Sequence, residues 1–283
     1  MTATQNTTGF LTQTQIDQFH RDGYVIADFG FSDTDIESLK AALHPCYNPE
    51  HLKAPSFGAR IQDAWKFIRE AHTLATNANV LSALEQLYGR RPLPFQTLNF
   101  PVGTQQRTHS DTIHFNSQPA GFMAGVWVAL EDIDDNNGPL EYYPGSHLLP
   151  EISMQDAGLE AGYQNYGSYE DFIAEHVKAT GIAPAYGLMP KGHALIWHAN
   201  LLHGGSQQKD TRRTRHSQVT HYFFEGCKYY TPMHSTPDEL AFRNPEWIKP
   251  GEWQPVPRTD PETIAAMSPL ARKIAALRRR LGI

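Results

Sequence analysis

Cysteine is scarce: Cys46 and Cys227 are the only two in 283 residues. Two cysteines cannot make a disulfide framework, so the core must hold the chain together, and a reducing cytoplasm is the expected setting. Long apolar runs are missing as well, and nothing approaches the length that spans a bilayer, so no membrane partner is expected. Positive charge is not in excess. Lys and Arg total 24 against 30 Asp and Glu, a formal net charge of −6, which speaks against nucleic acid as the main partner. The basic clusters Arg212-Arg213-x-Arg215 and Arg278-Arg279-Arg280 lack interleaved aromatics that would stack on bases, so they read as solvated faces. The polar, Thr-rich stretch Met1 to Gly9 has neither a basic n-region nor an apolar h-region; no signal peptide is expected and these residues are read as flexible. No repeat, linker or low-complexity segment interrupts the chain, and 40% hydrophobic residues at this length support one domain with a sizeable core. A monomer and a homodimer are both compatible with this composition.

The first ninety residues read as mostly helical. Thr12 as N-cap with Gln15 at N3 gives a capping box, Leu11 and Ile16 are spaced for a hydrophobic staple, and Gly23 ends the helix. Tyr24-Val25-Ile26 reads as a short strand. Ser32 then opens a second helix carrying Ile36, Leu39 and Leu43, which Pro45 stops. After a loop over 46–60, helix is predicted around 66–76 and from Asn79 to Gly89. Residues 10–94 thus form a helical support layer without catalytic groups of their own.

From Phe95 the period changes to that of strands. Phe95 to Phe100 alternates, Gly121 to Leu130 is a nearly continuous apolar run fit for a strand buried on both faces, and Leu140 to Tyr143, His193 to Trp197 and Ser217 to Phe224 follow, separated by Gly, Pro and Asn turns. Many short strands of this kind predict a mainly β fold with flanking helices, a β-sandwich or double-sheet jelly roll over 95–230. Residues 151–185 break the rhythm and read as an insertion with helix around Tyr169 to Lys178, a candidate lid. The segment 231–283 is a C-terminal extension ending in a basic amphipathic helix (Leu270, Ile274, Leu277, Leu281).

Fourteen histidines are present, so abundance singles out none of them. His109-x-Asp111 is different in kind. Residues two apart on an extended strand face the same way, which would aim an imidazole and a carboxylate at one point. A third ligand from elsewhere would complete a 2-His-1-carboxylate facial triad that leaves positions open on ferrous iron. The pair alone is unspecific and equally fits a strand-end His beside a turn Asp.

An ordered set of motifs narrows this. His109-x-Asp111, then Asn137-Gly138-Pro139-Leu140 with Pro144-Gly145-Ser146-His147, then His203-Gly204-Gly205, and Arg215 followed by His221-Tyr222 together resemble the phytanoyl-CoA dioxygenase family of Fe(II)- and 2-oxoglutarate-dependent oxygenases. The opening from Leu11 through Asp22-Gly23-Tyr24 is similar to that family's first helix and strand, so the resemblance covers roughly 10–230. It implies a cupin-like double-stranded β-helix in one oxygenase domain, with iron on His109, Asp111 and His203. It also implies O2 and 2-oxoglutarate as cosubstrates, and a small-molecule substrate hydroxylated with release of succinate and CO2. The family's 2-oxoglutarate arginine falls on Arg215, chosen over Arg212 and Arg213 because it opens the strand running to Tyr222; a guanidinium can grip the far carboxylate bidentately. Trp127, on the buried strand, is a candidate wall of the cosubstrate site, and ordinary core packing is its other reading. Gln96 and Asn99 lie on opposite faces of their strand; Asn99 is the one taken to point inward. Thr112 and His114 are placed near cosubstrate or substrate. His147, His193, His198, His216 and His221 are taken as structural. Related halogenases carry a small residue where this chain has Asp111, so hydroxylation is the expected outcome. Two other readings are a zinc-dependent hydrolase or lyase on the same ligands, which gives Arg215 no purpose, and a non-catalytic cupin-like binding module, which predicts no metal.

Overall fold

The computed structural model describes residues 9–52 and 57–256. The C-terminal helix expected from the sequence, and residues 1–8 of the stretch 1–9 expected to be flexible, lie outside the described residues.

Local sequence signals set the helical layer. Helix α1 (Gln13–Asp22) has the full capping box: the Gln15 backbone N–H donates to Thr12 Oγ1, and the Thr12 N–H donates to Gln15 Oε1 at 2.9 Å. Gly23 closes it at φ 83°, a left-handed conformation only glycine adopts readily. Strand β1 (Tyr24–Asp28) follows, then α2 (Asp33–Leu43), capped by Ser32 and burying Ile36, Leu39 and Leu43. A two-residue strand β2 (Ile61–Gln62) precedes α3 (Arg69–Ala75) and α4 (Ala78–Tyr88), the latter capped by Asn77 and stopped by Gly89. The helices predicted around 66–76 and from Asn79 are these two; Ala64–Lys66 is a 3-10 turn before α3.

The strands that follow are β3 (Pro92–Phe100), β4 (Asn116–Gln118), β5 (Met123–Ala129), β6 (Leu140–Tyr142), β7 (Ala185–Tyr186), β8 (His193–His198), β9 (His203–Gly205), β10 (Ser217–Phe224), β11 (Lys228–Tyr230) and β12 (Phe242–Arg243). Helix α5 (Tyr166–Thr180) lies within the predicted insertion. All pairings are antiparallel. Six strands form one sheet in the order β1-β8-β5-β10-β3-β2; β7-β6-β9 and β12-β11-β4 form two small ones. The fold is thus mainly antiparallel β with flanking helices.

Strand β5 shows why an uninterrupted apolar run was needed. Ala124, Val126 and Val128 pack into the large cluster with Ile36, Leu39 and Leu84 of the helices, while Trp127 and Ala129 face the other way. There they meet Leu195 and Trp197 of β8 and Tyr142 of β6, so the small sheet lies over the large one. With both faces covered, no polar alternation can survive. Helix α5 buries Tyr169, Ile173 and Val177 against Ile113, Leu202 and Met233, each worth about 1.5–3 kcal/mol of apolar burial, which fixes the insertion over the end of the facing sheets. Cys46 and Cys227 form no disulfide.

Candidate active site

Strand β9 and the extended segment before residue 111 are held side by side. His109 and His203 exchange two backbone hydrogen bonds, each 2.9 Å. This register brings their imidazoles together, ring centroids 4.5 Å apart and the planes tilted by 47°. Ser110 is extended, as the alternation argument required, but the strand stops there: Asp111 begins a 3-10 turn over Asp111–Ile113 whose Thr112 N–H donates to Ser110 Oγ. Asp111 is therefore anchored by a turn as well as by its own N–H, which donates to Ala199 O at 2.9 Å.

His109, Asp111 and His203 are all buried, and one donor atom from each lies within 4.8 Å of the others. Their hydrogen bonds decide which atoms these are. The Nδ1 atoms of His109 and His203 lie 2.9 Å from the carbonyls of Arg107 and Leu201 respectively. A carbonyl can only accept, so each Nδ1 carries the proton and each Nε2 keeps its lone pair. Asp111 is fixed in the same way: Trp197 Nε1–H donates to Oδ2 at 2.8 Å, leaving Oδ1 3.8 Å from His109 Nε2 and 4.0 Å from His203 Nε2. Two imidazole Nε2 atoms and one carboxylate oxygen converge, the donor set that suits Fe(II), and the protein supplies the outer partners that hold each ligand in place. Burial pushes His109 down to about 3. Burial also works to raise Asp111, but His203, His221, His109 and the indole N–H outweigh it and hold the carboxyl below its ordinary value.

These residues open into a cavity of about 780 Å³ between the sheets. Arg215 lines it, only 4% exposed. Nη1 reaches Ser217 Oγ at 3.2 Å and Nη2 the Val102 carbonyl at 3.4 Å, while Nε is buried without a partner. No carboxylate among the described residues comes within ion-pair distance, and burial pulls the guanidinium down to about 10. A buried cation without a counter-charge is costly unless an anion completes it. Trp127 also lines the cavity, its ring 5.3 Å from the Arg215 guanidinium carbon.

Asn99 requires a correction. Its side chain lies on the other face of β3, where Nδ2 donates to Gln218 Oε1 at 2.9 Å, and Gln218 in turn donates to the Ala71 carbonyl of α3. Gln96 faces the cavity instead, with Leu98 and Phe100. Both faces of β3 are covered, so polarity carried no information about which way a polar residue points. Thr112 also turns away, into a buried cluster with Ser110 and Asn200, whereas His114 lines the cavity and meets Tyr166 Oη at 3.2 Å. His198 faces away from the site and stacks on Tyr88.

Two further residues belong to the site: His221, expected from the sequence to be structural, and Trp197, which the sequence does not single out. His221 presents Nε2 3.7 Å from Asp111 Oδ2 and bonds Gln96 through Nδ1 at 3.0 Å. Alternation from Arg215 through Val219 to His221, all lining the cavity, was the signal that could have found it. Trp197, the donor to Asp111, gave no such signal.

Residues 7–217 match the sequence profile of the family described as phytanoyl-CoA dioxygenase (PhyH), a span that includes His109, Asp111, His203 and Arg215. The peroxisomal phytanoyl-CoA dioxygenase of Homo sapiens is 25% identical over 191 residues, 64% of this chain and 53% of that protein. The chain thus spans about half the length of the peroxisomal relatives it matches. The phytanoyl-CoA dioxygenase of Arabidopsis thaliana is 24% identical over 276 residues, covering 78% of this chain and 92% of that protein. Among solved structures, EctD from S. alaskensis with 2-oxoglutarate and 5-hydroxyectoine superposes with a TM-score of 0.64 at 20% identity, over 88% of this chain and 90% of that one. The α-ketoglutarate-dependent carbocyclase SnoK from nogalamycin biosynthesis gives 0.62 at 18% identity, over 78% and 88%.

Proposed function

The chain belongs to the phytanoyl-CoA dioxygenase family, and from that premise we propose that it is an Fe(II)- and 2-oxoglutarate-dependent dioxygenase that hydroxylates an unactivated C–H bond of a small organic substrate. The overall reaction consumes substrate, O2 and 2-oxoglutarate and releases hydroxylated substrate, succinate and CO2. The observation that carries this reading is the pairing, in one cavity, of two histidines whose Nδ1–H groups are committed to carbonyls with a buried arginine that has no acidic partner among the described residues. Zinc chemistry would use the three ligands but leave Arg215 unexplained.

Ferrous iron held by His109, Asp111 and His203 would supply the redox chemistry that couples O2 and the keto acid to C–H oxidation. The chain's own groups do the rest. Arg215 binds the distal carboxylate of 2-oxoglutarate, replacing the counter-charge it lacks, with Ser217 Oγ orienting Nη1. Trp127 and Phe100 keep water from that ion pair. Trp197 holds Asp111 so that Oδ1 points inward. Tyr163, Tyr166 and Glu170 close the cavity from the 151–185 segment, which we take as its lid. The facing sheets are read as a double-stranded β-helix, and the whole chain as one oxygenase domain working as a monomer or homodimer on a small molecule, without nucleic acid. Among the described residues no helix is long and apolar enough to cross a membrane, and two unbridged cysteines suit the reducing cytoplasm.

The test is an anaerobic titration of metal-free protein with Fe(II) and 2-oxoglutarate, following the visible charge-transfer band of the chelated complex. The wild type is expected to develop the band. Asp111→Ala should lose it, and Arg215→Ala should require at least about ten-fold more 2-oxoglutarate, a change of about 1.4 kcal/mol. Tight metal binding without a band would replace this function with zinc chemistry; no metal binding would leave a binding module.

A further inference from the structure

We propose that the substrate is an organic acid whose carboxylate is received by Arg243, a specificity-determining residue on β12; this rests on the function proposed above. Arg243 lies outside the stretch that matches the family, 7–217. The third sheet delivers it: β12 pairs with β11, and β11 with β4, which begins one residue after Phe115. The guanidinium thereby reaches the cavity wall, with Nη1 donating to the His114 carbonyl at 3.1 Å and its carbon 4.6 Å from the Phe115 ring centroid. The Phe115 ring is 5.1 Å from that of His221, which itself touches Asp111. Arg243 is thus separated from Asp111 by two side chains, Phe115 and His221.

Charge explains why it would take an acid. Four arginines line the cavity, Arg60, Arg107, Arg215 and Arg243, against two carboxylates, Asp111 and Glu170. Arg107 is matched by Glu170 at 3.7 Å and by Asp171 on the rim. In the loaded site, the two negative charges of 2-oxoglutarate and the one of Asp111 offset the two of ferrous iron and the one of Arg215. Arg60 has interactions of its own, and Arg243 remains as excess positive charge in the substrate chamber. No carboxylate among the described residues lies within ion-pair distance of Arg243; Asp63 and the Tyr163 phenol act on it only from farther away, and burial lowers its pKa. One of its five N–H donors is used by His114, so a fork remains for a carboxylate. The chamber's other walls are flat and largely apolar: Phe115, Tyr163, Tyr166 and the His114 ring, which stacks on Tyr163 at 6.1 Å. The occupant that fits is an acid with an apolar or aromatic body. The alternative is a purely structural Arg243, a pin between Phe115 and the His114 carbonyl.

Calorimetry on the Fe(II) protein with saturating 2-oxoglutarate, under anaerobic conditions, separates the two. The probes are benzoate, 3-phenylpropionate and decanoate, each against its own amide, which keeps the body and removes the charge. At least one acid is expected to bind the wild type about ten-fold or more tightly than its amide. Arg243→Gln should bring that ratio within about two-fold while leaving amide affinity alone, and Arg243→Lys should retain most of it. If no acid outbinds its amide, or if the preference survives in Arg243→Gln, the proposal is overturned. The charge-transfer band is recorded on the same samples. Its absence would sink the oxygenase reading, whereas a normal band without acid preference would sink the acid site alone; the calorimetric ratio is read in either case.

Discussion

A single donor governs the geometry of the carboxylate ligand. Asp111 Oδ1 can face the two Nε2 atoms only because Oδ2 is occupied by the Trp197 indole N–H, in a buried bond to a charged group. Such bonds are worth about 1.5–3 kcal/mol, and outer partners of metal ligands typically shift metal affinity about 10–100-fold. Trp197→Phe keeps the aromatic body against His203 but removes the donor. The expected result is an Fe(II) dissociation constant raised by about 10-fold or more, measured by metal titration on variant protein whose folding is first checked by circular dichroism. Unchanged affinity would mean that Asp111 is held by its turn alone. The contrast between ligand and supporter also marks what could be read in advance. His109, Asp111, His203 and Arg215 stand in short motifs whose order along the chain was visible, and the structure places all four on one cavity. Trp197 and Gln96 arrive through pairing register between strands far apart in sequence, and Arg243 through a two-residue strand in the extension, whereas His221 was marked only by its alternation with Arg215 and Val219.

At the level of elements, β5 carries a glycine where its neighbours need space. Gly125 pairs with Trp197 on one side and His221 on the other, and a Cβ built there would collide with the Trp197 indole ring. Backbone on both flanks is locked in the sheet, so the indole rather than the strand must yield. Gly125→Ala should therefore cost about 1–3 kcal/mol of stability through overpacking. It should also weaken Fe(II) binding, by pushing the donor off Asp111. Gly167→Ala on α5 is the control, because a Cβ there meets open space and its backbone is helical. That change should be neutral or stabilising by up to about 1 kcal/mol. Chemical denaturation of the three proteins checks both expectations, and an equal effect of the two substitutions would defeat the steric account. Helix caps and the apolar run of β5 were legible because they are local: Thr12 and Gln15 need only each other, and burial on both faces leaves a run that shows in sequence. The face of β3 was not legible. Asn99 and Gln96 are equally polar, and only the neighbours on β10 and α3 decide which one meets the cavity.

Across the whole molecule, histidines held neutral by the fold make stability depend on pH. Burial, with His147 and His20 nearby, pushes His198 down to about 4, and burial with Lys40 and His44 does the same for His216. The His198 bond shows why: the Asn200 backbone N–H donates to Nδ1 at 3.1 Å, and protonation there would leave two donors facing each other. The folded pKa lies below the ordinary value of about 6.5, so between roughly 6.5 and 4 the unfolded chain binds more protons. Stability contributed by these neutral rings is then full above about pH 6.5 and is lost as the pH falls toward 4, by at most about 1.4 kcal/mol per pH unit for each ring and less where water reaches it. Three acids, unlike Asp111, act in the opposite sense. Burial raises Glu131, Asp63 and Glu170, so the folded state takes up their protons first and gains as pH drops through their range. Urea midpoints measured across pH 4.5–8 should fall on acidification, and His198→Asn, which keeps an acceptor near the Asn200 N–H but cannot be protonated, should flatten the slope. A slope unchanged by that substitution would show that His198 titrates normally, and would shift the acid sensitivity of this fold to the histidines around the cavity.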